Sequence, residues 1–140
     1  VGLGDLLRQL ADATTGRARL PVELTLEGEP RRLPPEVQVA LYRIAQEALN
    51  NVVKHARADA AAMALSYAPE RIRLAVRDDG QGFTLPEPGG EHLGLRIMRE
   101  RAAAIEAQLT LQSRPGLGTH LTIDWPGPKE YRRHDSPASA

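Results

Sequence analysis

Cysteine is absent from the 140 residues. That excludes a disulfide framework, a thiolate metal site and a thiol nucleophile. Surplus charge is absent too: 18 basic residues balance 18 acidic ones, so no global field draws the chain to nucleic acid or an anionic membrane. Lysine is scarce, with only Lys54 and Lys129 beside the arginines, a bias that carries no chemistry. No apolar run approaches the roughly 18 residues of a membrane helix, and no charged-then-apolar leader opens the chain. Together these absences predict a cytoplasmic domain without membrane contact of its own, from a full-length protein that could be membrane-anchored elsewhere. Neither G-x-G-x-x-G nor G-x-x-x-x-G-K-[ST] occurs, so any nucleotide bound here is held without a dinucleotide fingerprint or a P-loop. Val1 stands where a methionine would, which predicts a piece of a longer protein or a processed chain.

What is present has room for one domain with a buried core. Leu3, Leu6, Leu7 and Leu10 predict a helix over 3–13, with Gly16 as its stop. Val22, Leu24 and Leu26 alternate with polar residues, as in a half-buried strand. Pro35 suits the first turn of a long helix reaching Ala56. Residues 60–69 and 71–78 read as two strands of a hairpin, although the alanines of the first leave helix open there. The glycines and prolines of 78–92 predict a loop. A helix over 93–107 follows, with Leu95, Met98, Ala102 and Ile105 on one side. Two more alternating strands, 108–113 and 119–125, flank the turn Arg114–Gly118. The expected fold is α+β, a two-layer sandwich with helices on one face of a mostly antiparallel sheet over residues 1–126. Residues 127–140 read as a polar, disordered tail.

The long helix carries an unusual face, "QEALNNVVKHA" over 46–56. At about 100° per residue, Glu47, Asn51 and Lys54 fall within roughly 60° of one another, flanked by Asn50 and His55. Leu41, Ala45, Ala48, Leu49, Val52 and Val53 take the core side. A solvated face explains glutamate and lysine, but two successive asparagines oppose helix propensity. An asparagine carbonyl can ligate Mg²⁺ beside phosphates without adding charge, and a glutamate can accept a proton or orient a bound water. Downstream, "VRDDGQGF" ends an apolar strand with two carboxylates and a G-x-G, read either as a plain turn or as an aspartate accepting from an adenine amino group. "GGEHLGLRIMRERA" runs from loop to helix, with Gly94 at the helix start, where free N–H groups suit phosphate.

In order, Glu-x-x-x-Asn-x-x-Lys-His, Asp-x-Gly-x-Gly, a glycine loop opening a helix and Gly-x-Gly-Thr before a last strand resemble one ATP-binding fold. It is the Bergerat-type fold shared by histidine kinases, gyrase B-type topoisomerases, Hsp90 and MutL. "QEALNNVVKHA", "VRDDGQGF" and "LGLRIMRERA" are similar to the nitrate-sensor branch of sensor histidine kinases, whose partners are NarL-type response regulators. The resemblance covers roughly residues 3–126. It implies ATP and Mg²⁺ as ligands, with Glu47 as base or orienting group, Asn51 as Mg²⁺ ligand, and Lys54 and His55 near the phosphates. It further implies Asp78 as the adenine reader with Gly80 and Gly82 shaping the pocket, a lid over 84–93, Gly94 and Leu95 at the phosphate-facing helix, and Gly118 and Thr119 near Asp78. His92 departs from the pattern by replacing a glycine, with Gly89 and Gly90 just upstream. The implied reaction passes the γ-phosphoryl of ATP to a histidine on upstream dimerising helices, and from there to a regulator aspartate. His134, in the His-Asp pair of the tail, is read as a chance dipeptide. A stand-alone anti-sigma-factor-type serine kinase and a catalytically silent nucleotide-binding module remain the alternatives.

Overall fold

The computed structural model describes residues 2–81 and 93–128. The helix α1 spans Leu3–Ala18, β1 Val22–Gly28 and α2 Pro35–Asn51. A π-helical turn, Val52–Ala56, continues α2. β2 (Ala61–Ala68), β3 (Arg71–Asp78), α3 (Leu93–Ala104), β4 (Gln108–Ser113) and β5 (Thr119–Trp125) complete the order. The strands form one sheet in the order β1-β2-β3-β5-β4. β1 and β2 are parallel, joined by the crossover through α2, and the other pairs are antiparallel. The expected α+β architecture, a mostly antiparallel mixed sheet with helices on one face, is the observed one.

Each element is amphipathic, and one core collects their apolar faces. α1 gives Leu3, Leu7 and Leu10; α2 gives Val37, Leu41, Ile44, Ala45 and Leu49; α3 gives Leu95, Met98 and Ala102. The sheet answers with Met63 and Leu65, Ile72, Leu74 and Val76, and Leu121 and Ile123, at alternate positions along each strand. That alternation decides the alanine-rich stretch: Ala61, Met63 and Leu65 are buried while their neighbours face outward, so it is a strand. The outward side of the sheet is polar, with Arg73 donating to Asp124 at 2.8 Å.

Three local expectations are corrected. Gly16 does not stop α1, which runs on to Ala18 and ends where Arg19 adopts a left-handed conformation (φ 53). Leu20, buried just beyond, and Pro21, which disfavours helix in the residue before it, set that stop. The long helix is α-helical only to Asn51, and its last turn is π-helical, ending at left-handed Arg57. Val53, assigned to the core side, is 43% exposed. A wider turn rotates each residue less than an α-helix does, so a projection built on 100° steps misplaces side chains after Asn51. α3 closes at Ala104, earlier than expected, with Glu106 left-handed (φ 57). Among the described residues, no helix is long and apolar enough to cross a membrane.

Candidate nucleotide-binding site

Four segments far apart in sequence meet at one end of the molecule, through close backbone and side-chain contacts. α3 begins directly on the polar face of α2. A Cβ added to Gly94 would collide with the Glu47 carboxylate oxygen and lie 3.4 Å from Asn51 Nδ2. Glycine permits that approach with the Glu47 carboxylate where it stands, and a larger residue would push this flexible side chain aside. The approach places the positive end of α3 beside a carboxylate and an amide one helical turn apart. Leu95 contributes backbone alone, because its side chain is buried in the core. Lys54 is exposed in the π-helical turn. His55 lies in the same turn, and its side chain falls outside the description.

The second group lies at the end of β3. Asp78 pairs with Thr119 across β3 and β5, which places both side chains on one face. Gly80 donates its N–H to Asp78 Oδ1 at 2.7 Å. Burial raises the Asp78 carboxyl above its ordinary pKa, and the neighbouring Asp79 charge adds to the rise. The N–H groups of Gly80 and Thr119 oppose it by donating to the ionised form. Gly118 turns at φ +79 with no room for a Cβ, which would fall on the Asp78 carbonyl oxygen. The Gly116 N–H donates to the Gln81 carbonyl, so the β4–β5 turn lies on the Asp78–Gln81 loop.

Asp79 joins the two groups. Its Oδ1 accepts the N–H of Asp59 at 2.8 Å and of Ala60 at 3.1 Å. Those residues follow the π-helical turn, so the end of the Glu47–Lys54 helix is tied to the loop after Asp78. The two adjacent carboxylates therefore have different work: Asp79 holds backbone, and Asp78 faces the row of Thr119. An open cleft of about 920 Å³ takes in Asp78, Asp79, Gly118 and Thr119 and continues over Arg77 and His120. Glu47 and Asn51 are not among its lining residues.

Of the expected residues, Glu47, Asn51 and Gly94 come together, as do Asp78, Gly80, Gly118 and Thr119. Gly82, Gly89, Gly90, His92, the rest of the lid before Leu93, and His134 lie outside the described residues. Asp79 and Ser113 were missed. Ser113 stands opposite Thr119 on β4, with its hydroxyl 3.0 Å from that of Thr119. Counting the hairpin register outward from Arg114–Gly118 would have found it.

Comparison with known proteins decides what family this geometry belongs to. Residues 36–129 match the family described as histidine kinase-, DNA gyrase B- and HSP90-like ATPase. The chain belongs to this ATPase family. It is 33% identical over 132 residues to the signal transduction histidine-protein kinase/phosphatase DegS of Bacillus subtilis, covering 90% of this chain and 34% of DegS. The sensor protein VraS of Staphylococcus saprophyticus is 30% identical over 134 residues, covering 96% of this chain and 37% of VraS. The chain thus spans about a third of the length of these relatives. The histidine kinase domain of the Erythrobacter litoralis blue-light activated histidine kinase superposes with a TM-score of 0.72 at 26% identity. That match covers 90% of this chain and 65% of the other.

Proposed function

We propose that residues 1–126 are the catalytic ATP-binding domain of a sensor histidine kinase. It binds ATP with Mg²⁺ and presents the γ-phosphoryl to a histidine nitrogen on dimerising helices of the same protein. A NarL-type response regulator then takes the phosphoryl group on an aspartate. The contact of Gly94 with Glu47 and Asn51 carries the reading, because it sets a helix N-terminus against one carboxylate and one amide. Anionic phosphate is favoured at the first, and a hard cation at the oxygens of the second.

Among the described residues no cluster of three or more His, Asp or Glu could hold a metal unaided. A lone amide with a nearby carboxylate suits an ion that takes its remaining ligands from water and phosphate. Asn51 would hold Mg²⁺ through its carbonyl oxygen, and the bound ion would supply neutralisation of charge on the phosphate oxygens. The chain's own part is placement. Asp78 accepts from the base, Gly80 and Gly118 shape the loops around it, and α3 amides with Lys54 and His55 meet the phosphates. Gly82 and Leu95 complete the two glycine segments. Glu47 orients the attacking imidazole or takes its proton. Catalysis of this kind is alignment and charge stabilisation rather than covalent chemistry. Similarity to DegS and VraS supports the sensor-kinase reading over a stand-alone serine kinase.

The test supplies the dimerising helix pair in trans with γ-labelled ATP and Mg²⁺. Acid-labile label on a histidine is expected. Acid-stable label on serine would replace the reading with the serine-kinase one, and no label with intact nucleotide binding would leave a silent binding module.

A further inference from the structure

The sheet has two edges, β1 and β4, and they are built differently. An open strand edge is a template for pairing with another chain, and charged side chains are a common guard against it. β1 carries that guard. Glu23 and Glu27 flank Thr25 symmetrically, so a second β1 laid antiparallel about Thr25 would set glutamate against glutamate. β4, Gln-Leu-Thr-Leu-Gln-Ser over 108–113, holds neither charge nor proline. Among the described residues, no strand pairs with the side of β4 turned away from β5. Its inward side chains, Leu109 and Leu111, are only partly buried against the core.

The strand is also complementary to itself about Thr110. Leu109 and Leu111 flank Thr110, Gln108 and Gln112 lie beyond them, and Glu106 and Arg114 stand at equal distance past the two ends. Opposed residues of an antiparallel pair share a face. Two copies of β4 related by a two-fold axis at Thr110 therefore meet threonine to threonine, Leu109 to Leu111, Gln108 to Gln112 and Glu106 to Arg114. Each leucine covers a leucine of the other copy, and both ends of the seam close on opposite charges. Glu106 and Arg114 are exposed. Glu106 has a further interaction within its own chain, but a carboxylate has lone pairs enough for a second partner. Moving the axis to Leu111 would set Gln108 against Arg114 and lose both ion pairs, so charge selects the register.

We propose that the β4 edge is a self-association surface whose partner is a second copy of this chain. The two β4 strands pair antiparallel about Thr110, and one sheet runs through both copies. The interface is isologous, each copy giving the same residues. One short strand pair with exposed ion pairs at its ends makes a weak contact. Weakness suits a contact that forms when something else has already brought two copies together. The dimerising helices proposed above would do so, by raising the effective concentration of one edge at the other. The pairing itself does not depend on the ATP-binding reading.

The chain has no cysteine, so single cysteines report the register. Thr110→Cys is expected to form a disulfide-linked dimer under mild oxidant, because opposed Cα atoms lie about 4.5–5.5 Å apart. Gln112→Cys, opposed by Gln108 of the second copy, should stay unlinked alone and cross-link when mixed with Gln108→Cys. Sedimentation equilibrium up to millimolar concentration reads the energetics. Glu106→Arg and Arg114→Glu should each weaken self-association about tenfold, since two attractive pairs become two repulsive ones. An equimolar mixture of those two chains should regain it, every facing pair being opposite again. Melting curves confirm that each variant is folded. The proposal is overturned by a folded Thr110→Cys chain that links no faster than Gln112→Cys, or by a charge-variant mixture that associates no better than its components. An unaltered chain that is monomeric throughout overturns it too, and leaves the edge to a different partner. Nucleotide binding is untouched by any of these outcomes.

Discussion

Asp78→Asn is expected to weaken ATP binding about thirtyfold, the range for a hydrogen bond made to a charged acceptor, while leaving the melting temperature unchanged or higher. The two effects have one cause. Burial makes the folded protein hold the Asp78 proton more tightly than the unfolded chain does. Protonated Asp78 therefore contributes stability that is lost as pH rises through its folded pKa. At neutral pH the native state bears an ionised carboxylate it would rather not have, next to the charge of Asp79. The amide removes that penalty and can still accept the N–H of Gly80. It cannot offer the base a charged, acceptor-only partner. Nucleotide affinity of the unaltered chain should likewise fall as acid protonates Asp78, at a pH above that of an ordinary aspartate. Calorimetric titration together with thermal melting separates the two consequences. A mutant that binds ATP normally would remove Asp78 from the site, and one that loses binding because it has unfolded would contradict the stability argument.

Gly118→Ala should act on the same end of the molecule through the backbone. The residue sits at φ +79, and an added Cβ would fall on the Asp78 carbonyl oxygen and 3.3 Å from the Asp79 Cα. Left-handed geometry costs a residue with a Cβ about 1–2 kcal/mol. Pushing two backbone segments apart adds a similar amount, so a loss of about 3 kcal/mol is expected. For a domain of this size that corresponds to a melting temperature lower by roughly 10 °C. The Gly116 N–H bond to the Gln81 carbonyl would be strained as well, since turn and loop move together. ATP binding should therefore weaken with stability, in contrast to Asp78→Asn. A Gly118→Ala chain with unchanged melting would mean that the turn does not rest on the Asp78 loop as described.

Most of the core was written in the sequence as periodicity. Leu95, Met98 and Ala102 share the buried side of α3 because 3.6-residue spacing puts them there, and Ile105 is buried just past its end. The strands were legible for the matching reason, alternation, even where alanine blurred the choice between strand and helix. What could not be read was whatever tertiary contact decides. The π-helical turn over Val52–Ala56 has an ordinary helical pattern in its residues, and nothing in that pattern marks the wider turn or the left-handed exit at Arg57. Likewise Gly16, a good stop by composition, is passed over because the stop depends on where Leu20 must be buried. In the candidate site, motif order pointed to Glu47, Asn51, Asp78, Gly94 and Thr119. It did not separate the roles of two adjacent aspartates, since the loop that Asp79 holds lies some twenty residues upstream. Ser113 was overlooked for a simpler reason: it belongs to no glycine motif, and only strand register brings it to Thr119.

The central claim is that Glu47, Asn51 and the start of α3 form one ATP–Mg²⁺ site with the Asp78 row. Titrating the unaltered chain with a non-hydrolysable ATP analogue, once with Mg²⁺ and once with a chelator, tests it most directly. One saturable site per chain, clearly weaker without Mg²⁺, is the predicted result. No binding in either condition, or binding indifferent to Mg²⁺, would contradict it.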